Sequence, residues 1–193
     1  TGKFLITEAV KYEIVDRPLK IPRFELGALQ IKELIDSNII EFPSSLKIDS
    51  NEIKKETQNL MSQANNCTKI GSRLINIISE AETSCLALSQ ILTKQKIENI
   101  IAIDERTTRI LTEKPQNLEK IMSDKLHTQV IVSCDLNSFQ NFKFIRSTEL
   151  AYVAYKKGLL KINDQHALEA ALYATKFKGS SVSYEEIREL KKL

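Results

Sequence analysis

Glycine and proline are scarce, 5 and 4 in 193 residues. So few enforced breaks point to a globular chain leaning towards helix, with disorder confined to loops. Long apolar runs are missing as well: none approaches the roughly 18 residues that a membrane helix needs. The first residues, TGKFLITEAVKYE, acquire charge too soon for a signal peptide. The expectation is a cytoplasmic protein with no membrane partner. Cysteine is sparse and ill-spaced for structure: Cys67, Cys85 and Cys134 are odd in number, far apart and without a CxxC pair. Neither a disulfide framework nor a zinc ribbon is supported, and the three read as small buried apolar residues. His127 and His166 lack Cys or His neighbours at ligand spacing, so both read as structural. A net charge of +3 and a pI near 8.6 allow nucleic-acid binding without arguing for it.

What the chain does contain is apolar periodicity. Hydrophobic residues make up 42%, enough for one well-buried core at this length. Phe4, Leu5 and Ile6 form a short strand-like run, and Thr7 follows as an N-cap with Glu8 in the first turn of a helix reaching about Asp16. Beyond Pro18 and Pro22, the residues Phe24, Ala28, Ile31 and Ile35 recur at helical spacing, predicting a second helix that ends near Ser37. A strand at 39–42 is followed by a polar helix at 50–66 with Ile53, Thr57, Leu60, Met61 and Ala64 on one face, read as a solvated surface helix or arm inserted in the core.

A central helix opens on Ser79 and Glu82 as a capping box and carries Ala81, Cys85, Leu88 and Leu92 as its stripe. The run 99–103 stops at Asp104, as a buried parallel strand does when it emerges at a sheet edge. After helical stretches at 107–113 and 118–125, a further strand is expected at 130–132. This alternation predicts an α/β fold: a central, mainly parallel sheet containing the runs 4–6, 100–103 and 130–132, covered by helices. From 146 onwards the pattern is wholly helical, with stretches at 147–157, 164–178 and 183–193, the first two closed by Gly158 and Gly179. The expected organisation is a core at 1–145 with a helical extension at 146–193 packed on it.

Three acids share a positional logic: Glu13 on the first helix, Glu82 at the start of the central helix, and Asp104 at a strand's C-terminal end. Carboxylates clustered where strands of an α/β sheet end can hold Mg²⁺ or Mn²⁺. Each also has a plain reading: Glu13 solvated, Glu82 completing its capping box, Asp104 capping the helix that follows.

Three stretches resemble the PIN superfamily: LITEAVKYEIVDRP at 5–18, EAETSCLALSQIL at 80–92 and NIIAIDERTTRIL at 99–111. The stretch RSTELAYVAYKKGLL at 146–160, with SVSYEEIREL at 181–190, is similar to the tail of a prokaryotic PIN-like subgroup of mostly unassigned function. The resemblance covers nearly the whole chain except the helix at 50–66, and it rests on order and spacing. It implies a divalent-metal-dependent RNA endonuclease using Mg²⁺ or Mn²⁺, with Glu13, Glu82 and Asp104 as catalytic metal ligands and Glu80 as a substitute if the helix register shifts. It also implies a structural ion pair at Arg109, an RNA partner and a homodimer. The family's first acid, an Asp ending an opening strand, has no counterpart ahead of Lys3. That departure favours the alternative of a non-catalytic PIN-like module binding RNA or a protein. A third reading is an oligomerising α/β scaffold.

Overall fold

The computed structural model describes residues 2–133, 136–162 and 164–192. Strand β1 (Phe4–Leu5) runs into helix α1 (Glu8–Lys11), which widens over Tyr12–Asp16 into a turn of π-helix. Thr7 caps α1 by accepting from the backbone N–H of Val10, and its buried hydroxyl lies 2.6 Å from that of Ser84. Helix α2 (Pro22–Asp36) leads to β2 (Ile40–Glu41), which pairs in parallel with β1; Lys3 and Glu41 form an ion pair beside the ladder. Helix α3 (Ser50–Asn65) starts on Asp49, whose carboxylate accepts from the N–H of Asn51.

A hairpin of β3 (Thr68–Ile70) and β4 (Arg73–Leu74) follows, its turn using Gly71 at φ +57°. Next come α4 (Glu80–Lys94), β5 (Ile101–Ala102), α5 (Arg106–Glu113), α6 (Leu118–Leu126), β6 (Ile131–Val132) and β7 (Phe144–Ile145). The tail comprises α7 (Ser147–Lys156), α8 (Ala167–Phe177) and α9 (Tyr184–Leu190). Gly158 and Gly179, at φ +66° and +116°, close α7 and α8 where the sequence places their ends. Among the described residues, no helix is long and apolar enough to cross a membrane.

The fold is mixed α/β, but the single sheet expected from the sequence is not formed. The three runs belong to separate short sheets: β1 beside β2, β6 in the order β4-β3-β6, and β5 beside β7. The first and third pairs are parallel and the middle sheet is antiparallel. Burial explains the difference. A central strand covered on both faces is buried throughout, whereas Phe4, Ile100 and Ile131 are 66%, 55% and 45% exposed. Each run leaves at least one side chain in solvent, unlike a strand covered on both faces.

The helix at 50–66 also departs from its expected place as a surface arm. Ile53, Thr57, Leu60 and Ala64 are buried, and α3 lies along α4. The stripe at helical spacing therefore meets the central helix, and only the opposite face of α3 is solvated. α4 in turn is buried well beyond one stripe, with Ala81, Leu86, Ala87, Leu88, Ile91 and Leu92 all inside. It is the axis of the main core, which extends to Leu111, Leu118 and Phe139. A second, smaller cluster of Leu168, Leu172, Val182 and Ile187 lies within the tail.

The cysteines differ from one another. Cys85 is a half-buried free thiol and Cys67 is buried; Cys134 lies outside the described residues.

Candidate active site

β1 and β2 end side by side, and the chain leaves them through Thr7 and through Phe42 and Pro43. A cavity of about 610 Å³ opens at that edge, the place where ligands bind in open parallel sheets. The π-helical turn supplies Tyr12 and Glu13 to its wall, with Arg17 just beyond. α3 contributes Lys54, which follows the buried Ile53 and so faces outward. The first turn of α4 contributes Glu80. All five side chains are exposed. π-Helical turns are rare and frequently occur at functional sites.

Glu13 and Glu80 therefore line one cavity together with two cations. Glu82 points elsewhere: its Oε2 accepts from the backbone N–H of Ser79 at 2.7 Å, completing the capping box. Its charge and that of Glu13 both reach Cys85. Burial foremost, then the charges of Glu82 and Glu13, push that thiol up to about 11.

Asp104 occupies the edge of the other parallel pair, β5 and β7. Its Oδ1 accepts from the backbone N–H of Ser147 at 2.9 Å and from the hydroxyl of Ser180 at 2.8 Å. Burial works to raise its pKa, but those hydrogen bonds and the nearby Arg109 cation outweigh it and hold the carboxyl below its ordinary value. Arg109 donates from Nη2 to the hydroxyl of Ser181 at 2.8 Å. Its expected ion pair is thus replaced by a hydrogen bond to the tail, with Asp104 acting at longer range.

The four sequence-predicted acids thus fall into two neighbourhoods. Glu13, Glu80 and Glu82 gather around the start of α4, and Asp104 is drawn to the tail. Among the described residues, no three His, Cys, Asp or Glu side chains stand close enough to hold a metal by themselves. Mg²⁺ commonly takes only one or two carboxylates and completes its sphere with substrate phosphate and water. Glu13 and Glu80 are two carboxylates lining one cavity with the cations Lys54 and Arg17.

Sequence reasoning overlooked Lys54, Arg17 and Tyr12. Lys54 was findable, since it adjoins the first buried position of the α3 stripe; nothing local announces that this stretch of α3 borders the cavity. No family model matches the chain, and no solved structure matches it.

Proposed function

We propose that this protein is a divalent-metal-dependent ribonuclease whose site is the cavity at the ends of β1 and β2. The observation that carries the reading is the mixed lining: carboxylates suited to a divalent cation and cations suited to a phosphodiester share one cavity. Glu13 and Glu80 would hold Mg²⁺ or Mn²⁺. When bound, the ion supplies Lewis acidity and a water made acidic enough to attack phosphorus. Lys54 and Arg17 neutralise the non-bridging phosphate oxygens and hold the backbone of the RNA. The exposed ring of Tyr12 offers a face for a neighbouring base. Glu82 acts as a positioning residue, fixing the first turn of α4 and so the place of Glu80.

The test is cleavage of a fluorescently labelled single-stranded RNA with Mn²⁺ or Mg²⁺. Cleavage should stop in chelator, and Glu13→Gln and Glu80→Gln should each lower it at least about 100-fold, since even outer-shell partners of metal ligands are worth 10–100-fold. Cleavage that persists in chelator, or in both variants, would sink the reading.

A second reading, a non-catalytic RNA-binding module, draws on Asp104, whose carboxylate is already engaged by Ser147 and Ser180. RNA binding at the cavity with no cleavage under any metal would favour it.

A further inference from the structure

Away from the cavity, the tail exposes a linked set of aromatic rings. Tyr173 and Phe177 on α8 stack with centroids 6.3 Å apart, and Tyr173 lies 6.0 Å from Tyr184 on α9. Phe177 is 76% exposed and Tyr184 46%. The ammonium of Lys176 sits 4.4 Å from the Tyr184 ring centroid while donating to the carbonyl of Val182; Lys178, which follows Phe177, and Arg188, one helical turn after Tyr184, are exposed. A contiguous exposed aromatic surface of this kind marks a place that a partner covers.

Charge points to what does. Of the 28 Lys and Arg and the 25 Asp and Glu in the chain, nine and six lie in residues 146–193. Residues 1–145 are therefore neutral, and the whole net charge of +3 belongs to the tail. Three of the acids there are paired within the tail, Glu169 with Lys191 and both Glu149 and Glu186 with Arg146. Stackable rings interleaved with lysine and arginine are the recognition chemistry of single-stranded nucleic acid: the rings take unpaired bases and the cations follow the phosphates. A duplex, whose bases stack on one another, has no free face for Phe177.

We propose that the Tyr173, Phe177 and Tyr184 patch is a docking surface for single-stranded RNA, separate from the cavity. The choice of RNA rests on the function proposed above, and the surface holds the strand outside the site where it is cut. Phe177 provides the outer stacking face, Tyr173 backs it, and Lys178 and Arg188 bind flanking phosphates.

The chain contains no Trp, so Phe177→Trp creates a single indole reporter at the patch, and the exposure of Phe177 leaves the core untouched by either substitution. Binding of a labelled oligouridylate is measured by anisotropy on the full chain in chelator, so that cleavage plays no part. Phe177→Ala should weaken binding about tenfold, a typical loss for one stacked base. Phe177→Trp should bind as the parent does, and its emission should be quenched as RNA is added. Lys178→Gln should flatten the salt dependence of binding, by roughly one phosphate's share. A parent chain that binds no RNA, or a Phe177→Ala variant of unchanged affinity with an indole that RNA does not quench, overturns the surface even if the chain cleaves RNA. Loss in Phe177→Ala together with quenching upholds the surface even if no metal ever supports cleavage.

Discussion

Glu82 and Glu80 stand two residues apart on one helical turn, and the backbone has already decided between them. Glu82 bonds to the N–H of Ser79, whereas Glu80 faces the cavity. Gln at the third position of a capping box can still accept from the cap N–H. Glu82→Gln should therefore change stability by only a few tenths of a kcal/mol, and Ser79→Ala should cost about 1 kcal/mol, both read from chemical denaturation midpoints. A large loss of stability in Glu82→Gln would show that its charge does more than cap. Asp104 is similarly engaged: Asp104→Ala strips acceptors from Ser147 and Ser180 and should cost about 1–2 kcal/mol. The candidate site was legible as residue types at strand and helix ends, which rest on local pattern. The capping role of Glu82 was legible too, but the pull of Asp104 towards the tail was not, because it depends on a hydrogen bond to Ser180, 76 residues away.

Helices were the legible elements, and their caps explain why. Thr7, Asp49, Ser79 and Ser183 each accept from the backbone of the turn they start, so start signals within a few residues sufficed. Strands were harder to read, because ladders of two or three residues leave almost no alternation to detect and their partners lie 36 or more residues away in β1–β2, β5–β7 and β3–β6. α2 offers an element-scale test. Gly27 sits mid-helix, and a β-carbon there would meet nothing within 4 Å. Gly27→Ala should stabilise the protein by about 0.5–1 kcal/mol, through helix propensity and a less disordered unfolded chain. An unchanged or lowered denaturation midpoint would mean that this face of α2 is closed in solution.

At the scale of the molecule, polar contacts link the main core to the tail, from Asp104 to Ser147 and Ser180 and from Arg109 to Ser181, while Arg146 braces the tail internally through Glu149 and Glu186. Burial pushes the pKa values of Asp104 and Glu186 up, but hydrogen bonds and neighbouring arginine hold both below their ordinary values. A depressed folded-state pKa means that the unfolded chain binds the proton first. The stabilisation is therefore whole above the ordinary values of 3.8 and 4.5 and is lost as pH falls below them. The tail should loosen first on acidification. Four of the 5 tyrosines lie in it, so near-ultraviolet dichroism should decay at higher pH than the far-ultraviolet helix signal; coincident transitions would argue against the latch.

The side-by-side packing of α3 and α4 has a kinetic consequence. These neighbours are joined through a hairpin, so their contacts close short loops, while each parallel ladder must bring distant segments together at greater entropic cost. The α3–α4 pair is thus placed to form the folding nucleus, with the tail cluster consolidating late. Leu60→Ala, in a position 1% exposed, should chiefly slow refolding, and Leu172→Ala, at 0%, should chiefly speed unfolding. The reverse assignment in stopped-flow measurements would put the nucleus in the tail.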